Sequence, residues 1–486
     1  MRMRGVLSAV LLVSAAMPLT PSNAETLREA LVKAYNTNPT ITGARAGQRA
    51  TDENVPIARS RGLPGVSGTS SLNEFVESGS SGGTSPARQF QANATLSVPV
   101  YQGGAVANST RAAETRVAAG QSGLRDTEAS IFSQVVAAYM NVIRDSAIVA
   151  LNQKQVAVLR TNLDATRDRF QIGDLTRTDV AQSESRLALA QGQLESADAQ
   201  LIASKESYIQ LVGNPPSALE PPPPLPNLPG SPDLAVTVAI DSNPGLAAAK
   251  LRRDATVYDT KVARSNRLPK LSAFASEGYT DYLGSLSGLG TGVTAPSQSF
   301  RATTVGVQAT LPIFQGGLPG AQVRQAQALE SQSIETVTAT ERGIVAQTRS
   351  AYSAWIASNQ LITYFQTAVS AAELSLEGVR AENSVGTRSI LDILNAEQEL
   401  LNAQVNLVTA RRNAYVAGFS LLAAMGKAGV NDLGLDGGPL YDPNVNYRRV
   451  RRSVNDWASD PKPAPVATRT VDTPAQTPAL IGPTVN

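Results

Sequence analysis

Apolar and polar residues alternate strictly in one short stretch of the chain. Phe90, Ala92, Ala94, Leu96, Val98 and Val100 are separated by Gln91, Asn93, Thr95 and Ser97. A second stretch sets Val305, Val307, Ala309, Leu311 and Ile313 against Thr304, Gly306, Gln308 and Thr310. Period two over about ten residues predicts a strand with one apolar and one wet face. Each stretch runs into the same junction: "PVYQGG" at 99–104 and "PIFQGG" at 312–317. Pro99 and Pro312 are expected to end the strand by withdrawing a ladder donor. Gly103-Gly104 and Gly316-Gly317 are expected to adopt backbone angles that other residues resist.

Beyond each junction the spacing becomes helical. No proline occurs between Pro99 and Pro215, or between Pro319 and Pro439. Ile131, Val135, Ala138 and Val142 step by four and three, as do Phe365, Val369, Ala372, Leu376 and Val379. Leu187, Leu194 and Leu201 step by heptads. One break interrupts each run, at Gly173-Asp174 and Gly386-Thr387. The pattern predicts a helix of about 70 residues, a tight turn and a return helix of about 40. The long helix would measure roughly 100 Å. Its apolar stripes are narrow, which suits coiled-coil packing with one side in water.

The chain is a duplication. Asn38-Pro39 recurs as Asn243-Pro244, and "ARSRGLP" from Ala58 recurs as "ARSNRLP" from Ala263. Both Asn-Pro pairs predict a helix N-cap with proline at the first helical position. A helix of about 22 residues should follow each and stop near Pro64 or Pro269. The expected organisation is a signal segment at 1–24, a first repeat at 25–212 and a proline-rich linker at 213–233. A second repeat at 234–437 and a proline-rich, disordered tail at 438–486 complete it. The first repeat would hold a strand pair at 64–101, joined by the loop "SGSSGGTSPA", a long helix to about 172 and a return helix to 212. The second would hold a strand pair at 269–314, a long helix to about 385 and a return helix to about 425. The fold class is mainly α with a small β part.

Composition narrows the functions. Of 486 residues, 42 are basic and 40 acidic, leaving +2 and no nucleic-acid footprint. The chain has no cysteine and no histidine. That removes disulfides, thiolate nucleophiles, lipid attachment at cysteine, and the commonest metal ligand and general base. No cofactor or metal is expected, and the acids are spread along helices, so the chain does not read as an enzyme. Arg2 and Arg4 precede an apolar run from Val6 to Met17 and the ending Ser22-Asn23-Ala24. This predicts a secretory signal cleaved after Ala24. No later segment reads as a transmembrane helix. Four strands cannot close a barrel, and an open edge in lipid leaves backbone groups unsatisfied. Several chains must therefore pool their strands. A secreted trimeric adhesin or structural surface protein, also helical and cysteine-free, is the alternative.

The Asn-Pro pairs, the two Gly-Gly junctions and the stretch "SVGTRSILDILNAEQEL" at 384–400 resemble the TolC family of outer-membrane efflux and type I secretion channels. The resemblance covers nearly all of the mature chain. It implies a homotrimer, with a barrel of 12 strands in outer-membrane lipid continued by an α-helical barrel in the periplasm. It implies a passive duct that works with a periplasmic adaptor protein and an inner-membrane transporter of the RND, ABC or MFS type. Arg388, Asp392, Thr178 and Asp179 match positions that latch the periplasmic entrance in that family. Asn395 stands where its best-known members have a second aspartate, and Asn383 where they have a tyrosine. The turns Gly173-Asp174-Leu175 and Val385-Gly386-Thr387 match the surface that docks the adaptor.

Overall fold

The structure, a computed structural model, describes residues 24–76, 86–226, 228–286, 297–435 and 440–480. The expected signal segment, up to residue 23, and most of the "SGSSGGTSPA" loop lie outside the described residues. The first repeat contains α1 (Leu27–Thr37), α2 (Pro39–Asp52), α3 (Asn54–Ser60), β1 (Gly65–Glu74), β2 (Arg88–Gln102), α4 (Ala105–Gln171) and α5 (Arg177–Val212). The second contains α6 (Pro232–Ser242), α7 (Pro244–Ser265), β3 (Lys270–Asp281), β4 (Ser299–Thr310), α8 (Leu318–Ser384) and α9 (Ile390–Ala424). A short α10 (Pro443–Val450) follows.

The Asn-Pro pairs fasten each repeat to itself. The Asn38 side chain accepts from Thr40 N at 2.9 Å and donates to the Leu211 carbonyl in the last turn of α5 at 2.9 Å. Asn243 caps α7 through Leu246 N and donates to the Ala424 carbonyl of α9 at 3.0 Å. One side chain thus satisfies an orphan donor of one helix and an orphan acceptor of another. Two further helices precede these pairs. Thr26 and Glu29 form a capping box for α1, and Ser231 caps α6 with Pro232 behind it. The helix expected after Asn38 is broken at Glu53, whereas α7 runs 22 residues unbroken. Pro56 explains the break, because it has no N–H to offer the Asp52 carbonyl.

The strands form one antiparallel sheet in the order β1-β2-β3-β4. Pairing puts Val66, Leu72, Ala92, Leu96, Ala273, Ala275, Val305 and Val307 on one face. Val66, Leu72, Val305 and Val307 are all at least two-thirds exposed, so the face is bare and largely apolar, with exposed Glu277, between Ala94 and Thr303, and Arg301 and Asp281 near its Tyr279 rim among its charges. From Phe90 to Tyr101 the strand rises about 37 Å, which a ~40° tilt converts to roughly 28 Å, the depth of a membrane barrel's apolar band. Tyr101 marks one rim of that band, and Phe90 and Tyr279, with rings 6.5 Å apart, mark the other. Within the described residues β1 and β4 each pair on one side only.

Pro99 does not end its strand. β2 continues to Gln102, and the ladder shifts register between Pro99 and Tyr101, so the missing donor falls at a bulge. β4 does stop before Pro312, at Thr310. Gly103, Gly104, Gly316 and Gly317 all have positive φ, from 56° to 83°. Gly104 and Gly317 directly precede the 67-residue helices α4 and α8.

The core forms where α1, α4, α5 and α9 meet, around Phe132, Val135, Val136, Tyr139 and Tyr208. The Tyr139 hydroxyl donates to the Glu25 and Glu220 carbonyls, pinning the proline-rich linker to the body. α4 contains a stretch long and apolar enough to cross a membrane, which the sequence reading did not single out, but half of it is buried within the fold. Burial is lopsided between the repeats. α4 is lined with buried residues, whereas α8, of equal length, buries only Val323, Ile344, Thr348 and Leu376. Leu329, Ile356, Leu361, Tyr364 and Leu374 of α8 are exposed. The tail also differs from expectation, being laid along the helices up to residue 480 rather than disordered. Buried Lys205 donates to the carbonyls of Thr477 and Ala479 there.

The junction glycines differ in surroundings, which gives a graded prediction. A Cβ at Gly103 would meet the Ser265 carbonyl at 2.9 Å and Leu268 Cβ at 3.0 Å, whereas one at Gly316 would meet nothing within 4 Å. Gly316→Ala should cost about 1 kcal/mol, the backbone term alone. Gly103→Ala should cost at least twice that. Melting temperatures of the two purified variants check the order.

Candidate functional site

The ends of the two helical hairpins are built alike. α4 and α8 each finish in a left-handed glycine, Gly173 at φ 80° and Gly386 at φ 83°. The Gly173 and Asp174 amides donate back to the Phe170 and Arg169 carbonyls at 3.0 and 2.9 Å. Those of Gly386 and Thr387 donate to Asn383 and Glu382, both at 3.0 Å. This double closure satisfies carbonyls left over at a helix end. Two residues later each return helix opens with a capping box: Thr176 with Asp179, and Ser389 with Asp392. The turn is thus fixed from both sides within a few residues.

Charges then decorate the turns. Arg169 pairs with Asp174 at 2.7 Å in the first hairpin, and Arg388 with Glu382 at 2.7 Å in the second. The Asn383 amide donates to the Arg388 carbonyl at 2.7 Å. Arg388 and Asp392 do not pair with one another within the chain, contrary to the simplest expectation. The Asp392 carboxylate is already engaged, accepting from Ser389 N at 2.9 Å and Ser389 Oγ at 2.8 Å. Those bonds hold Asp392 below the usual carboxylate range, and Thr176 does the same for Asp179. The Glu382 hydrogen bond raises Arg388 further above neutrality. These tip charges therefore stay fixed around neutral pH. Their caps are at full strength above the ordinary carboxylate pKa and weaken only as pH falls through the lowered one. Thr178, Gly173, Asp174, Val385, Gly386 and Thr387 are exposed, and Leu175 is half-buried.

Three residues that the sequence reading passed over join the two hairpins. Arg186 of α5 donates to the Asn395 side chain of α9 at 2.7 Å. Glu397 of α9 is buried, 3% exposed, and its carboxylate receives the Asn162 amide of α4 at 3.0 and 3.2 Å. Arg380 of α8 completes the site at 3.1 Å. A buried carboxylate needs such partners, because desolvation alone would disfavour its charge. Just beside it Leu159, Ala190 and Leu394 form a small apolar cluster. The spacing gave one clue: Arg167–Glu184, 17 residues apart, is repeated as Arg380–Glu397 in the second hairpin. Among the described residues no group of three acids is placed to hold a metal.

A sheet with a bare apolar face, turned through left-handed glycines into paired hairpins with polar tips, defines the class of outer-membrane exit channels. The sequence model of the family described as "Outer membrane efflux protein" matches residues 30–214 and 235–427. The chain belongs to that family and to the outer membrane. It is 34% identical over 450 residues to the outer membrane efflux protein BepC of Brucella suis biovar 1 (strain 1330), covering 92% of this chain and 95% of that protein. It is 27% identical over 467 residues to the outer membrane protein TolC of Escherichia coli (strain K12), covering 92% and 93% of the two chains. In fold it matches the CmeC outer membrane channel of Campylobacter jejuni, with a TM-score of 0.73 at 16% identity over 94% of this chain and 98% of that one. These relatives are channel proteins, not enzymes, and the adhesin reading has no support among them.

Glu397→Ala would leave Asn162 without its acceptor and Arg380 without its counter-charge. We expect a loss of about 2–4 kcal/mol, expressed near the hairpin ends. Hydrogen exchange should quicken in residues 155–172 and 380–400 and stay unchanged in the sheet.

Proposed function

We propose that three copies of the chain form a passive exit duct, gated at the hairpin tips and opened by partners on the periplasmic side. The observation that carries this reading is the sheet with two free edges and a bare apolar face. Backbone groups along β1 and β4 have no water to bond with in hydrocarbon, so the sheet must close on other copies. Three sheets of this kind give 12 strands, enough for a barrel with an open lumen. The exposed apolar positions of α8 supply a matching surface lower down, where a neighbouring copy would pack.

Arg388, Asp392, Thr178, Asp179, Asn383 and Asn395 are the residues we assign to the gate. Within one chain Asp392 and Asp179 are held by their local caps and Arg388 by an exposed ion pair with Glu382, the ion pair worth about 1 kcal/mol or less. Such a tip opens without unfolding its helices, because the caps and the buried Glu397 site keep the hairpins intact. We assign the turns at 173–175 and 385–387 to docking of an adaptor protein that links the duct to an inner-membrane transporter. The chain carries no nucleotide-binding loop, so energy comes from that partner. BepC is named as an efflux protein, and AprF of Pseudomonas aeruginosa, 28% identical over 351 residues, as an alkaline protease secretion protein. Both cargo classes thus occur among the relatives.

Single-channel recording in planar bilayers tests the gate. Wild type should show small, brief openings, and Arg388→Ser combined with Asp392→Ala should enlarge them several-fold. An unchanged conductance would remove these residues from the gate. No conductance from folded protein would overturn the duct itself.

A further inference from the structure

The C-terminal segment forms a strap whose turn lies towards the sheet end of the helical body. Tyr441 N donates to the Tyr35 hydroxyl of α1. α10 then climbs beside α2 and α3, with Asn446 on Asp52 at 2.8 Å and the Arg451 carbonyl receiving Arg59 Nη1 at 2.8 Å. The chain reverses and descends, with Asp460 on Arg449 at 2.8 Å and residues 461–467 beside Pro39, Thr42 and Arg49. It ends on Lys205. The highest point of the strap is therefore 451–459, level with Arg59, six residues below the first residue of β1.

What this turn presents is unusual for a periplasmic surface. Trp457 is 95% exposed and Val454 71% exposed, beside exposed Arg451 and Arg452. A bare indole next to cations is the composition of a membrane-interface anchor. Among the described residues neither Arg452 nor Arg61 has an ion-pair partner. One acid, Asp456, shares the turn, while Asp442 and Asp460 are taken up by Arg448 and Arg449. The surrounding chain is also one-sided. No acidic residue occurs from Asn54 to Asn73, where Arg59 and Arg61 lie, or from Thr260 to Ser276, where Arg264, Arg267 and Lys270 lie. Both stretches lead into strands at their periplasmic ends. The strap thus adds cations and an aromatic to a rim that already lacks negative charge.

We propose that the strap turn, through Arg451, Arg452, Val454 and Trp457 with Arg59 and Arg61 beside it, binds anionic phospholipid headgroups of the leaflet facing the periplasm. The inference rests on the sheet being a membrane barrel, which fixes where that leaflet lies. Arginines bond the phosphodiester, while the indole and Val454 enter the boundary between headgroups and acyl chains. The strap would then hold the helical body at a set height and angle to the bilayer.

The chain has two tryptophans, so Trp355→Phe leaves Trp457 as sole reporter. The full-length protein is reconstituted in phosphatidylcholine vesicles with and without phosphatidylglycerol, and insertion is followed by vesicle flotation. Trp457 emission should move to the blue and be quenched by brominated acyl chains when phosphatidylglycerol is present. Salt should weaken the effect. Arg451→Gln with Arg452→Gln should weaken the phosphatidylglycerol-dependent engagement of the turn by roughly 10- to 30-fold. Inserted protein whose Trp457 emission ignores lipid charge would overturn the proposal and leave the barrel standing. Emission already blue in detergent and unchanged by lipid would also overturn it, because another copy would then cover the turn. Failure to float with vesicles would overturn the barrel and this proposal together.

Discussion

A strand edge cannot be left open in hydrocarbon, and most of this structure follows from that constraint. Each unpaired N–H or C=O at such an edge costs several kcal/mol. Water and protein can cover an edge in a soluble fold, but lipid offers no donor or acceptor. The chain supplies four strands with both outer edges free. On the proposed reading it shares its sheet with other copies, and the helices that continue from β2 and β4 gather around the same axis. At the first junction Gly103 and Gly104 change strand to helix within two residues, whereas about seven residues, ending in Gly316 and Gly317, separate β4 from α8.

Duplication then divides labour between two nearly equal halves. α4 lies within the body, packed by α5, α7, α9 and the small helices around it, whereas α8 keeps much of its surface bare. The same hairpin design thus serves once as a core and once as an exposed face, which the proposed assembly would cover. Near the tips the halves are tied by a buried carboxylate and an arginine–amide bond, both polar. A small apolar cluster of Leu159, Ala190 and Leu394 packs beside these bonds, so the hairpins are joined by polar and apolar contacts together.

Local rules made much of this legible in the sequence. Alternation around Leu96 and Val305 marked strands, long proline-free runs marked α4 and α8, paired glycines marked the junctions, and single glycines, Gly173 and Gly386, marked the tips. Resemblance to a known family supplied Arg388 and Asp392. The misses share one cause, dependence on residues distant in sequence. Pro99 sits inside β2 because its partner strand β3 shifts register there. The tail lies along the helices, where Lys205, some 270 residues earlier, donates to its carbonyls. Glu397 was passed over because its partner Asn162 lies 235 positions away. The exceptions were readable: the Thr26–Glu29 capping box announces α1, and Pro56 announces the break at Glu53.

The absence of native cysteine permits a direct measurement of the central claim, that the free edges of one chain pair with those of others. Thr69 of β1 and Thr304 of β4, which lie on the same face of the sheet, are each replaced by cysteine in the same chain, and membranes are treated with a short thiol cross-linker. Closure between copies predicts covalent dimers and trimers on a denaturing gel, ending at the trimer, with either single variant giving none. A product confined to one chain, or a ladder running past three, would contradict the account.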